Sequence, residues 1–290
     1  MNLIARFSIA ILLVLAAEIA AAEAGPFAIE SAGEGRDVYL IPGLSNAGDV
    51  WDPLAAQLRQ AGYRTHVLTL SGFGGRPALP DDAPFMPRVR DALAMELAQT
   101  DGPKPVVIGH SLGGFLAFWL GATESAHLAG VIAVDGVPYL PALGDPAANP
   151  ESQDAGAEQM RSFMAGLSPE QFAQQNRMSL QAMLHDEAER ERIARTSTRS
   201  DPAAVGRAVA ELMTTDLRPL MADVAVPALL LQAADSGSNE AVRAAYGAQI
   251  AAIPDHRHVV AGQGSHFVQL DDPEFTAREV LAFLEALGDE

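Results

Sequence analysis

Gly109-His110-Ser111-Leu112-Gly113 stands between a short apolar run, Val106-Val107-Ile108, and an apolar stretch that starts at Leu112 and runs to Gly121. A strand that turns sharply on a serine and leaves as a helix pushes the hydroxyl out over the sheet edge, where a nucleophile has to stand. Gly109 and Gly113 carry no Cβ, so the turn can close and the helix can pack near the strand. The amide of Leu112 opens that helix, and unpaired N–H groups at a helix N-terminus favour developing negative charge. These features make Ser111 the candidate nucleophile and Leu112 a candidate oxyanion donor. A serine N-cap at a Gly-rich turn is the plainer alternative; the strand in front and Gly113-Gly114 behind favour the catalytic one.

A serine hydroxyl is a weak nucleophile at neutral pH and needs a general base, which in turn needs an orienting acid. The chain has seven histidines. His66 falls inside a strand, His110 inside the elbow, His127 at a helix end and His185 in a helical region. His256 and His258 alternate onto one face of a strand with no third metal ligand in view, so no metal site is expected. His266 alone sits in a glycine-flanked loop, Gly262-Gln263-Gly264-Ser265-His266-Phe267, beyond the C-terminal end of a strand. In open α/β sheets, ligands and catalysis gather at that edge. His266 is therefore the base. Two aspartates end strands at the same edge: Asp235, after the strand that precedes the His266 strand, and Asp135, after the strand that follows the elbow. Asp235 is preferred as the acid, with Asp135 as its competitor; either has a plainer reading as a turn or cap residue.

The elements that must carry these residues alternate between strand and helix. Expected strands are Pro26–Ser31, Asp37–Pro42, Arg64–Leu70, Val106–Ile108, Leu128–Asp135, Val226–Gln232 and His256–Ala261. Expected helices are Asp52–Ala61, Phe85–Gln99, the one after the elbow, Glu240–Ile250 and Pro273–Leu287. Such alternation points to an α/β fold with a mostly parallel, doubly wound sheet. It breaks between 137 and 225, where a Pro/Ala/Gly/Asp-rich segment leads into helical stretches Glu158–Gly166, Pro169–His185, Glu187–Ala194 and Pro202–Met213. This segment reads as a helical lid inserted before the penultimate strand, with 25–136 and 226–290 forming the core. The lid is rich in methionine, a side chain that adapts to irregular apolar surfaces. Met160 and Met164 are accordingly expected to line a substrate pocket with Ser45, Phe73 and His110, although for any single Met plain packing against the core is the favoured reading.

With 290 residues and 49% hydrophobic side chains, the chain can bury a large core. Its net charge of −18 argues against nucleic acid and anionic membrane surfaces, and favours a neutral substrate. There is no cysteine, which excludes a thiol nucleophile and a disulfide framework. Residues 1–24 have the build of a secretory signal peptide: Arg6, an apolar run from Phe7 to Ala17, then small residues around Ala20–Ala24. Glu18 leaves that run short of the ~20 residues a span needs. The expectation is an exported, periplasmic or secreted protein with no membrane span once the leader is removed, acting as a monomer or weak homodimer.

Taken together, Ile41-Pro42-Gly43, Ser71-Gly72-Phe73-Gly74-Gly75, Gly109–Gly114, the Val226–Asp235 run and Gly264-Ser265-His266-Phe267 resemble the α/β-hydrolase superfamily, in its lid-bearing branch of esterases, lactonases and haloperoxidase-like enzymes. The resemblance covers nearly all of the chain beyond the leader. It implies acyl transfer to water, with no cofactor, through a triad in the chain order Ser111, Asp235, His266. It also implies a second oxyanion donor from the loop after the Asp37–Pro42 strand, here the amide of Leu44. Pro42-Gly43 stands where the family often has His-Gly, and Ala233-Ala234 replace its usual glycine and acidic residue. The expected activity is cleavage of small to medium neutral or apolar carboxylic esters, with a small-molecule ester as the substrate. Lactone opening is the nearest alternative. An aminopeptidase of the proline iminopeptidase type would require a lid acid such as Asp186 or Glu187 to hold a substrate amine. A binding module on the same fold is the non-enzymatic alternative.

Overall fold

The computed structural model describes residues 25–80 and 83–288; the leader expected over residues 1–24 lies outside them. Seven strands form one sheet: β1 (Phe27–Ala32), β2 (Asp37–Ile41), β3 (Arg64–Leu70), β4 (Val106–His110), β5 (Gly130–Val134), β6 (Ala228–Gln232) and β7 (His256–Val260). Their order across the sheet is β1-β3-β2-β4-β5-β6-β7. The β1–β3 pair is antiparallel and every other pair is parallel.

The central strands are apolar at successive positions because both of their faces are covered. Alternate side chains divide between two cores. Tyr39, Ile41, Val107, Val131, Ala133 and Leu230 enter one, and Val38, Leu40, Val106, Ile108, Ile132, Val134, Leu229 and Leu231 enter the other. The first core is completed by α2 (Phe85–Ala98) through Val89, Leu93 and Leu97, and by α3 (Leu112–Thr123) through Phe115, Leu116 and Leu120. The second takes Leu54 and Leu58 of α1 (Asp52–Gln60) with Val280, Phe283 and Leu284 of the C-terminal helix Pro273–Ala286. Helices thus cover both faces, as doubly wound sheets require.

Four helices stand in the chain between β5 and β6: α4 (Pro150–Ala165), α5 (Pro169–Met183), α6 (Glu187–Ser197) and α7 (Pro202–Thr214). α4 begins well before the expected Glu158. Asn149 accepts from the Ser152 amide at 3.0 Å while its own amide donates to Ser152 Oγ at 3.2 Å, and this reciprocal cap starts the helix at Pro150. α4 and α7 cross closely at Gly206, where a Cβ would come within 2.9 Å of the Arg161 carbonyl and of Met164 Cβ. Glu211 of α7 joins this group to the core. Its carboxylate accepts from the amides of Phe85 and Met86, both at 2.7 Å, at the start of α2, where Pro84 offers no side-chain cap. Besides the short helical turns Ala234–Gly237 and Val268–Asp271, two longer helices follow: α8 (Glu240–Ile250) and the closing α9 (Pro273–Ala286). Among the described residues no helix is long and apolar enough to cross a membrane.

Candidate active site

Because β4 to β7 run parallel, their C-terminal ends lie along one edge of the sheet. Ser111 follows β4 directly with φ +53, a region that side-chain-bearing residues rarely adopt. Its amide donates to the Val134 carbonyl at 2.9 Å and its carbonyl accepts from Phe115 at 3.0 Å, so the strained residue is held by β5 on one side and α3 on the other. The two glycines of the motif are required by space. A Cβ on Gly109 would collide with the Gly113 backbone, and one on Gly113 with the Ile41 carbonyl.

His266 Nδ1 donates to Asp135 Oδ2 at 2.7 Å. Asp135 also has positive φ, +46, and is 5% exposed. Its amide donates to the Leu231 carbonyl at 2.7 Å, and its Oδ1 accepts from the Ala233 amide at 2.9 Å. β5 lies between the elbow strand β4 and β6, which brings the residue after β5 next to both loops.

The preferred Asp235 does not reach His266. Beyond β6 the backbone curls at once into a helical turn, Ala234–Gly237, closed by the Gly237 amide on the Ala233 carbonyl. That curl turns Asp235 outward, where its half-exposed carboxylate meets His185 Nε2 at 2.9 Å. The competitor, Asp135, is the carboxylate that His266 touches.

Two cavities meet at Ser111 and His266. One, of about 190 Å³, is bordered by Leu44, Ser45, Asn46, His110, Met164 and Phe172, and by Asn176 and Met183 of α5. The other, of about 220 Å³, is bordered by Leu112, Phe115, Asp135, Val137, Leu212 and Tyr246. Among the described residues, apart from the two histidines and Asp135, no ionisable side chain except the Tyr246 phenol borders either cavity. Burial, then the charge of Asp135, pushes the Tyr246 hydroxyl above its ordinary range, so it stays protonated.

Of the expected pocket residues, Ser45, His110 and Met164 border the first cavity. Phe73 and Met160 do not. Phe73 is fully buried against Phe85, with ring centroids 5.7 Å apart, and Met160 lies on the outer side of α4, 38% exposed. The inward face of α4 runs through Ala157 and Met164 instead. Leu44 lies on the first cavity and Leu112 on the second, each beside Ser111.

His110 has a second task. Its Nε2 donates to the His266 carbonyl at 2.9 Å, and its ring packs 4.7 Å from that of His266 and 4.6 Å from that of Phe267. Burial, reinforced by the nearby His266, pulls its pKa well below the ordinary imidazole value, so it is neutral with the proton on Nε2. Phe172 and Met183 belong to the lid's apolar side chains, as expected, whereas Asn176 was not singled out by its sequence. The signal was present in α5: Phe172, Asn176, Ser179, Leu180 and Met183 fall on one helical face, and polar residues inside an apolar stripe mark a surface facing something other than core. Among the described residues no cluster of His, Cys, Asp or Glu could hold a metal ion.

The Alpha/beta hydrolase family model matches residues 38–279. The chain belongs to the alpha/beta hydrolase family. Among curated proteins it is 34% identical over 110 residues to the pimeloyl-[acyl-carrier protein] methyl ester esterase of Aeromonas salmonicida, covering 38% of this chain and 41% of that enzyme. It is 27% identical over 262 residues to the enzyme of the same name from Aliivibrio salmonicida, covering 88% of this chain and 95% of the other. Among solved structures it resembles a thermophilic esterase from Thermogutta terrifontis with a TM-score of 0.70, at 23% identity, over 90% of this chain and 93% of that one.

Proposed function

We propose that the protein is a serine hydrolase of neutral carboxylic esters. The observation that carries this reading is the Asp135–His266 hydrogen bond, made beside Ser111 where the two cavities join. In this mechanism His266 Nε2 takes the proton of Ser111 Oγ as the oxygen attacks the ester carbon. Asp135 holds the ring with its proton on Nδ1 and stabilises the imidazolium that forms. The amides of Leu44 and Leu112 receive the developing oxyanion. The alcohol leaves with the proton from His266, and water, activated by the same imidazole, releases the acid from the acyl-enzyme. One cavity takes the acyl group and the other the alcohol.

The choice of a neutral ester rests on the lining. Among the described residues, a substrate carboxylate or phosphate would find no Lys or Arg there, and a substrate amine would find no carboxylate other than the one already committed to His266. This speaks against an aminopeptidase. Asp186 caps α6 by accepting from the Glu189 amide at 2.8 Å, and neither it nor Glu187 borders the two cavities at Ser111; Glu187 faces a separate one with Arg177 and Arg190. The methyl ester esterases among the relatives support the ester assignment. The signal-like pattern of residues 1–24 supports action outside the cytoplasm.

The test is turnover of p-nitrophenyl acetate and butyrate beside lactones and aminoacyl anilides. Ester cleavage should dominate, and Ser111→Ala should reduce it by roughly 10⁵-fold or more. Retained activity in that variant removes Ser111 from the mechanism and the proposal with it.

A further inference from the structure

The loop that carries the Leu44 amide is held partly from outside itself. Gly43–Asn46 is a turn closed by the Asn46 amide on the Gly43 carbonyl at 3.2 Å, and its third residue, Ser45, has φ +61. That position normally belongs to glycine, and a residue with a Cβ is disfavoured there by about tenfold. Inside the turn the Asn46 side chain adds one bond, from Nδ2 to the Leu44 carbonyl at 3.0 Å; the contacts that reach Ser45 itself come from the segment between β5 and β6. Ser200, between α6 and α7, donates from Oγ to the Ser45 carbonyl at 2.7 Å, and the same Oγ accepts from the Gly74 amide at 2.9 Å. Asn176 of α5 donates from Nδ2 to Ser45 Oγ at 3.0 Å, while its Oδ1 accepts from Ser197 Oγ at 2.7 Å, which fixes the orientation of the amide. Just beyond the turn, Thr196 donates to Asp49 Oδ2 and Arg192 to the Asp49 carbonyl, each at 2.8 Å.

We propose that Asn176 and Ser200 are positioning residues that hold Ser45 at positive φ and thereby set the direction of the Leu44 amide as an oxyanion donor. The inserted helices then do more than roof the cavity: the oxyanion site is complete only while they are docked. This rests on the serine-hydrolase reading. An oxyanion donor acts in the transition state far more than in the ground state, so a misdirected amide lowers kcat while leaving KM nearly unchanged.

The experiment compares Ser200→Ala and Asn176→Ala with the parent enzyme on p-nitrophenyl butyrate, together with inhibition by butylboronic acid, which forms a tetrahedral adduct on a serine. The expected result is a fall in kcat of about 5–30-fold for Ser200→Ala and less for Asn176→Ala, with KM within about twofold. Boronate affinity should weaken by the same factor as kcat. Adding Ser45→Gly to Ser200→Ala should recover a large part of the loss, because glycine takes positive φ without the clamp. A role confined to stability predicts no such rescue. Asn176 is half-buried, so its variant supplies the same readout if Ser200→Ala does not fold. Unchanged kcat and boronate affinity, a loss expressed through KM alone, or no rescue by Ser45→Gly overturns the proposal. Activity retained in Ser111→Ala would instead overturn the hydrolase reading beneath it.

Discussion

Asp135 and His266, 131 residues apart in the chain, are joined by a 2.7 Å hydrogen bond whose acceptor is itself fixed by the Ala233 amide. An acid held in this way selects the His266 tautomer with a free Nε2 lone pair, the form able to take a proton from Ser111. Asp135→Asn should therefore lower kcat/KM for p-nitrophenyl butyrate by roughly 10³–10⁴-fold. Asp235→Asn, which changes only an exposed pair with His185, should stay within about threefold of the parent. The opposite ranking would return the acid to Asp235.

His110 predicts a stability that falls with acid. Its folded-state pKa is depressed by burial, so just below the ordinary imidazole value near 6.5 the unfolded chain binds a proton that the folded chain refuses. Its contribution is present in full above about pH 7 and is lost as pH drops, at up to roughly 1.4 kcal/mol per unit. Denaturant melts from pH 7.5 to 5 should show this slope, and His110→Gln should lack it. Equal slopes in both proteins would show that His110 is not the titrating group.

Glu211 supplies the N-terminal cap that α2 cannot make for itself. Glu211→Ala strands two amides at a helix start and should cost about 2 kcal/mol, because charge-assisted hydrogen bonds are among the stronger ones. A chemical denaturation midpoint measures it. Glu211→Gln, which keeps an acceptor, should lose less.

Asp271 ties the His266 loop to the inserted helices: Oδ2 accepts from the Ser265 amide at 2.8 Å, and Oδ1 from the amides of His185 and Asp186 at 2.8 and 3.0 Å. The Phe267 amide adds a bond to the Met183 carbonyl at 3.2 Å. Asp271→Ala should loosen the segment next to His266, lowering kcat by about tenfold and increasing amide exchange at Ser265–Phe267. Unchanged exchange there would mean that the loop is held by His110 and Phe267 alone.

Much of this protein was readable from local order along the chain. The Gly109–Gly113 elbow, the seven strands and the expectation that catalysis belongs at the C-terminal edge all follow from periodicity, glycine placement and strand–helix alternation, which are properties of neighbouring residues. His266 emerged in the same way, as the one histidine in a glycine-flanked loop past a strand end. The acid could not be chosen on those grounds, since Asp135 and Asp235 both close strands at the same edge. Which of them meets His266 is set by the sheet order, which puts β5 between β4 and β6, and by the helical curl at Ala234–Gly237 that turns Asp235 to solvent. The same limit hid Asn176 and Ser200. Their significance lies in contacts to Ser45 across 131 and 155 residues, and such contacts exist only once the inserted helices have docked on the loop.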